Sequence, residues 1–200
     1  MLIAQRPAGK HLAGGWEFPG GKLEPGEERL AGLARELREE LGITIGTPRP
    51  LIRVRHAYPS REVLLDIWVV TRYRGTPEGL DGQALRWCTQ DELATVELLP
   101  ADKPIVGALR LPERLTHISS AYYAVGTTSA GKLRGVNCSN AAEALAAASA
   151  GADFLVMRSE LPNPVLVSLC EAALLPVFVR NVALEVAWSL GASGINEIPC

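Results

Sequence analysis

The sequence predicts an α/β protein in two parts: a mixed α/β domain over residues 1–115, then a segment over 116–200 in which short strands and helices alternate. Three observations lead there. Charge is dense in the first part, with 16 Lys/Arg and 16 Asp/Glu, and sparse in the second, with four and six. The first part holds one strongly periodic helix among apolar, β-branched runs. The second repeats a short strand and an Ala-rich helix of about ten residues, the pattern of a parallel sheet or part of a barrel. The join, LRLPERLTHISS, carries a proline and a polar cluster, as a domain boundary should.

Leu2–Gln5 reads as a short strand. Glu28–Leu41 reads as a helix, because Leu30, Leu33, Leu37 and Leu41 recur at three- and four-residue steps and Gly42 supplies a C-terminal stop. Leu51–His56 and Val63–Arg72 are predicted strands on either side of a turn at Pro59-Ser60. Leu85–Cys88 is a short strand, and Lys103–Leu109 a helix after Pro100. In the second part the strands Gly135–Asn137, Phe154–Met157, Val177–Val179 and Gly194–Ile198 alternate with the helices Ala141–Ala150, Pro164–Ala173 and Ala183–Leu190.

Bulk chemistry narrows the function. A net charge of −2 and a pI near 6.0 leave no basic footprint for a nucleic-acid polymer. A free nucleotide needs none, since a metal can neutralise its phosphates. Cys88, Cys138, Cys170 and Cys200 are widely spaced with no C-x-x-C pair, which favours free buried thiols in a reducing cytoplasm over a disulfide or zinc site. The N-terminus has no signal-peptide core, and no apolar run approaches the ~18 residues of a membrane span.

The densest pattern lies at Gly21–Ile43. Gly21 is followed after five residues by Glu27, after seven more by Arg35-Glu36-Leu37, then by Glu39-Glu40, Gly42 and Ile43. Glu36, Glu39 and Glu40 stand at i, i+3 and i+4, so three carboxylates crowd one helix face, at a cost of roughly 0.2–0.5 kcal/mol per like-charged pair. A divalent cation turns that repulsion into a binding site, and hard carboxylate oxygens suit Mg²⁺ or Mn²⁺. A merely solvated face would predict nothing about the flanking Gly20-Gly21 or Glu27. Glu27 and Arg35 are expected to pair and tie the preceding loop to the helix. Gly20 and Gly21 allow a tight turn and close approach of backbone to a ligand.

On LIAQRPAGKHLAGGWEFPGGKLEPGE, RELREELGI, the WVV strand, DGQALRW and LLPADKP, residues 2–115 resemble the Nudix hydrolases, specifically the MutT branch of 8-oxo-dGTP diphosphatases. The resemblance implies an α/β/α sandwich with a mixed sheet. It implies Mg²⁺ held by Glu36, Glu39, Glu40, the Gly20 carbonyl and Asp81, with Mn²⁺ as a substitute. Attack of water at an inner phosphorus would release a nucleoside monophosphate and pyrophosphate, in nucleotide-pool sanitation and DNA repair. Arg6 and His11 would flank the site, Glu17, Phe18, Pro19 and Gly20 would underlie the nucleoside, and Arg61 would approach phosphate or sugar. Trp16 and Phe18 fit either an apolar wall for a base or the core.

Three positions depart from the branch. Asp81 stands where relatives have a glutamate, one methylene longer, so a direct contact with metal could become water-mediated. Asp102 stands where bacterial relatives often have an Asn reading the purine edge; an ionised Asp only accepts hydrogen bonds. The chain starts at Met1-Leu2-Ile3, where relatives have one further strand and turn.

Residues 132–198 resemble the later strands of thiamine phosphate synthase and its TenI relatives, on GVNCSNAAEALAAASAGADFLVM and LPVFVRNVALEVAWSLGASGINEI, which implies a partial TIM-barrel-like βα segment. The relatives' phosphate-binding Gly-Gly turn reads here as Val179–Val182, VRNV, and their Thr/Lys loop reads RSELPNP with no lysine after Lys132. An interaction or scaffold role is therefore expected of this segment rather than thiamine phosphate synthesis. The whole chain is expected to be a cytoplasmic, Mg²⁺-dependent enzyme acting on a small nucleotide, without membrane or nucleic-acid polymer partners. The alternatives are hydrolysis of another nucleoside diphosphate-linked substrate, such as a nucleotide sugar, and an inactive truncated fusion that serves as a binding module.

Overall fold

The computed structural model describes residues 1–10, 12–116, 133–157 and 163–197, together with the backbone of Tyr122–Tyr123. His11, Lys132, Ile198 and Cys200 lie outside the described residues, as does most of the RSELPNP loop. The chain runs β1 (Leu2–Gln5), β2 (Trp16–Glu17), α1 (Arg29–Leu41), β3 (Thr44–Ile45), β4 (Arg49–Tyr58), β5 (Arg61–Val69), β6 (Tyr73–Arg74), β7 (Leu85–Trp87), α2 (Gln90–Leu93), a 3₁₀ turn (Pro100–Asp102) and α3 (Lys103–Ala108). It continues with β8 (Arg114–Leu115), β9 (Tyr122–Tyr123), β10 (Leu133–Cys138), α4 (Ala141–Ser149), β11 (Phe154–Met157), α5 (Asn163–Ala172), β12 (Val177–Val179), α6 (Leu184–Ser189) and β13 (Gly194–Asn196).

Contacts divide the chain into two units. The first comprises residues 1–48 and 69–106; the second comprises 49–68 and 107–200. In the first, β1 lies between β2 and β7, antiparallel to both, and β3 pairs with β6. Helix α1 buries Gly32, Leu37 and Leu41, and Leu37 and Leu41 join Ile43 in a core that Leu2, Leu33, Ile45, Val70 and Leu85 complete. The predicted apolar stripe is thus shorter than expected: Leu30, in the first turn, is exposed although it shares a helix face with the buried Leu37 and Leu41. Gly42 ends the helix with φ of 70°, a conformation that costs glycine little.

In the second unit β4 and β5 form a hairpin around Pro59-Ser60, longer at both strands' starts than predicted, and β5 stops at Val69 rather than Arg72. Leu51, Ile52 and Val54 are buried. The hairpin is tied to the C-terminal residues. Ser193 donates its hydroxyl to the Leu51 carbonyl at 2.7 Å, Arg53 donates to the Glu171 carbonyl at 2.8 Å, and Arg49 pairs with Glu113 at 2.8 Å.

A six-stranded parallel sheet, in the order β8-β13-β12-β11-β10-β9, fills the rest of the unit. From β9 to β13 each strand lies beside its predecessor, while β8 closes on the far side of β13. β8 precedes the composition boundary at 115, so that boundary falls at the edge of this sheet. The strands alternate as buried parallel strands can. Leu155, Met157, Val177 and Val179 join the buried residues of α4, α5 and α6 on one face. Phe154, Val156 and Phe178 join Leu111, Leu115 and Leu133 on the other, a cluster to which no described helix contributes. Gly135 is required there: a Cβ would collide with the Phe154 ring. Cys88, Cys138 and Cys170 are buried, and none of them is in a disulfide among the described residues. No helix among the described residues is long and apolar enough to cross a membrane.

Candidate active site

The acidic motif is delivered by α1. Its Arg35 is the hub: the guanidinium holds Glu27 through two bonds of 2.8 and 2.9 Å, and also bonds Glu36 at 2.9 Å, Glu39 at 3.1 Å and the Lys22 carbonyl at 3.0 Å. The predicted Glu27–Arg35 pair therefore exists and ties the Lys22–Glu27 loop to the helix. Arg35 and the Glu24 N–H hold the Glu27 carboxyl down at about 2, and the same bonds raise Arg35 further above its ordinary value. Gly21 lies under this arrangement. A Cβ on it would fall within the Glu36 carboxyl group, so only glycine lets the loop cross so close to the acidic face.

Glu40 lines a cleft together with Lys10, Glu17, Phe18, Pro19, Gly20, Asp81 and Gln83. Burial, reinforced by the negative charges of Glu36 and Asp81, raises the Glu40 carboxyl above its ordinary value; the Gly20 N–H and Lys10 oppose the rise. Asp81 reaches this place through the unfinished end of the helix. The last carbonyls of α1 have no intrahelical donors. The N–H groups of Leu80 and Glu78 bond the Glu40 and Leu41 carbonyls at 3.0 and 3.1 Å, and Gln83 Nε2 bonds Glu40 O at 3.0 Å. Gln83 Oε1 in turn accepts the Asp81 N–H at 2.9 Å.

The nucleoside-side residues sit on β2 and in the Phe18–Gly20 stretch after it. Arg6 pairs with Glu17 across the β1–β2 ladder. Trp16 is held by backbone bonds to Glu97 and Leu99 and does not line the cleft, whereas Phe18 does. Phe18 donates its N–H to Asp102 Oδ1 at 3.3 Å. Asp102 is 6% exposed. Burial pushes its carboxyl up to about 6; the nearby Glu17 adds to the rise, and the Phe18 N–H and Arg6 moderate it.

The structure therefore groups Glu36, Glu40, Asp81 and Gly20, with Glu17, Phe18, Pro19 and Asp102 beside them. Glu39 instead lies on Arg35, its side chain 60% exposed. Arg61 belongs to the second unit, where its guanidinium stands 5.9 Å from the Tyr58 ring centroid. Among the described residues no three His, Cys, Asp or Glu side chains are already drawn into ligating positions. The donor set nonetheless fits a hard divalent cation: the charges of Glu36 and Asp81 bear on the Glu40 carboxylate, and the Gly20 backbone lines the same cleft. Five cleft residues escaped sequence reasoning, Ala4, Gln5, Pro7, Lys10 and Gln83, of which Lys10 is the charged one. None carries a signal of its own; the fold of the chain placed them.

A NUDIX domain model matches residues 1–108. This chain belongs to the Nudix family. It is 42% identical over 108 residues to a CTP pyrophosphohydrolase of Escherichia coli, covering 54% of this chain and 80% of that protein. It is 36% identical over 110 residues to an 8-oxo-dGTP diphosphatase of the same organism, covering 55% and 85%. Among solved structures, a MutT NUDIX hydrolase from Burkholderia pseudomallei superposes with a TM-score of 0.50 at 26% identity, over 54% of this chain and 86% of that one. The family match accounts for the spacing of the acidic motif and makes this Nudix domain a hydrolase with the mixed α/β fold expected.

Proposed function

We propose that the chain is a divalent-cation-dependent nucleoside triphosphate pyrophosphohydrolase, with 8-oxo-dGTP as substrate and 8-oxo-dGMP and pyrophosphate as products, serving nucleotide-pool sanitation and DNA repair in the cytoplasm. The observation that carries this is the meeting of Glu40 and Asp81 in a cleft lined also by Phe18 and Gly20, with Glu36 close enough for its charge to bear on Glu40. Glu36, Glu39, Glu40 and Asp81, with Gly20, would hold Mg²⁺ or Mn²⁺. The cation, when bound, supplies positive charge that offsets the polyphosphate and the charge developing at phosphorus. Arg35 holds Glu36 and Glu39 in orientation through its guanidinium hydrogen bonds. Glu40, desolvated and raised in proton affinity, accepts at a carboxylate oxygen the proton that the attacking water gives up. The bond from the inner phosphorus to its bridging oxygen breaks, and pyrophosphate leaves. Arg6 is assigned to substrate phosphate or sugar.

A second substrate, CTP, is favoured by one observation. Asp102 replaces an amide with a carboxyl that, when ionised, only accepts. Cytosine and guanine both offer amino donors, so this residue does not by itself demand a purine, and the relative named a CTP pyrophosphohydrolase is similar over the same span. Pyrophosphate release from 8-oxo-dGTP, dGTP, CTP and ADP-ribose, with and without Mg²⁺, tests both. Greater kcat/KM on 8-oxo-dGTP supports the first, greater kcat/KM on CTP the second, and turnover of ADP-ribose alone overturns both.

Residues 116–200 we read as a partial TIM-barrel-like domain related to thiamine phosphate synthase and TenI, following a Nudix domain over 1–115. Support comes from the strand order. Strands in sequence order with β8 beside β13 are those of a barrel opened between β8 and β9. Its role is that of a scaffold or interaction domain.

A further inference from the structure

Lys10 lies in the loop between β1 and β2. Among the described residues it is the one cation lining the cleft; the other charged lining residues are Glu17, Glu40 and Asp81. Its Nζ is 3.9 Å from Asp81 Oδ2, and both side chains are 51% exposed. Its charge also bears on Glu40. The loop is anchored at its base. Arg6 N–H donates to Gly15 O and Gly14 N–H to Arg6 O, each at 2.9 Å, and Gln5 Nε2 donates to Gly14 O at 3.0 Å. Nearer the tip, Lys10 O accepts the Ala13 N–H at 3.1 Å, and Leu12 holds φ of 61°, a conformation its side chain disfavours. The backbone origin of the lysine is thus set by bonds on both sides, while its side chain can swing.

A half-exposed ammonium–carboxylate pair at this distance is a weak tie. A divalent cation on Asp81 would displace it. The freed ammonium would then stand beside the anion that arrives with the cation, and a lysine on a flexible stem meets phosphate well as a point charge. We infer that Lys10 is a phosphate-positioning residue: it balances Asp81 before the cation binds, and pairs with the substrate's polyphosphate afterwards. The inference rests on the pyrophosphohydrolase reading of the cleft.

The test is calorimetry on the full chain, first with Mn²⁺ alone and then with imidodiphosphate, a non-hydrolysable pyrophosphate analogue, at saturating Mn²⁺. Lys10→Met is expected to weaken imidodiphosphate binding about tenfold, the scale of one charge-assisted phosphate contact. Lys10→Arg should recover most of that loss. Mn²⁺ alone should bind Lys10→Met at least as tightly as the wild type, since a competing ammonium is gone. Equal imidodiphosphate affinity in wild type and Lys10→Met would overturn the assignment to Lys10 alone. Weaker Mn²⁺ binding by that variant would also overturn it, by making Lys10 a support of the carboxylate cluster. A wild type that binds no imidodiphosphate with Mn²⁺ would overturn both this inference and the reading it rests on.

Discussion

In the first unit the C-terminal end of α1 is completed from outside: the 78–83 loop supplies donors to the Glu40 and Leu41 carbonyls and so brings Asp81 beside Glu40. In the second unit the N-terminal end of α4 is completed by its own residues. The Asn140 side chain accepts the Glu143 N–H at 2.9 Å, and Glu143 accepts the Ser139 N–H at 2.7 Å. A helix that caps itself recruits nothing and contributes packing. A helix end that must be satisfied by a distant loop fixes that loop, and with it whatever side chains the loop carries. The first unit accordingly concentrates charge at one cleft, while the second buries apolar residues on both faces of its sheet.

The largest expected effect falls on the cleft. Glu40→Gln should lower kcat by about a thousandfold or more, with a melting temperature no lower than the wild type's, because a desolvated charge has been removed. Pyrophosphate release and thermal unfolding measure the two, and near-normal turnover would break the contrast between a chemical and a structural unit. In the second unit, Phe154→Ala should cost roughly 3–5 kcal/mol of stability by opening a cavity in the cluster it forms with Val156, Phe178 and Leu115. Its kcat, measured well below the unfolding transition, should stay within about twofold of wild type, since a core cavity acts through stability. A large fall in kcat in that folded variant would show that the second unit shapes the first unit's chemistry.

Asp102 sharpens the comparison through pH. Its native pKa is raised, so the neutral form is the favoured buried one. The stability this confers is complete below the ordinary carboxylate range and is lost as pH rises through about 6. Asp102→Asn should therefore stabilise the chain at pH 8, by on the order of 2 kcal/mol, and by progressively less as pH falls toward 4. Denaturant unfolding at several pH values reads this, and a pH-independent difference would remove the burial argument. The smallest effect concerns Glu27, whose pKa is depressed to about 2. Its contribution is present above the ordinary carboxylate range and lost as pH falls toward that value. Glu27→Gln should lower the melting temperature slightly at pH 7, by less than Asp102→Asn raises it at pH 8, with no difference left near pH 2.

Much of the site was legible because it is local. Glu36, Glu39 and Glu40 share a face through helical spacing alone, Gly42 marks the helix end, and the Glu27–Arg35 pair joins the residue just before the N-cap to the second turn of the same helix. The T-x-x-E capping box at Thr89–Glu92, which starts α2, is a local signal of the same kind. The short strands β2, β3 and β6 were not legible, because two-residue runs carry no period; their partners' backbone groups define them.

Sequence alone was enough for the acidic helix and the alternation of strands and helices after residue 130, since each depends on neighbours within a turn or two of chain. It took the folded chain to set Glu40 and Glu39 in different surroundings, to bring Lys10 and Gln83 to the cleft, to bury Asp102 against the Phe18 N–H, and to pack the 49–68 hairpin with the C-terminal sheet. The reason is the same in each case. Those outcomes turn on which distant backbone donors and acceptors satisfy one another, and that accounting closes only when the whole chain is folded.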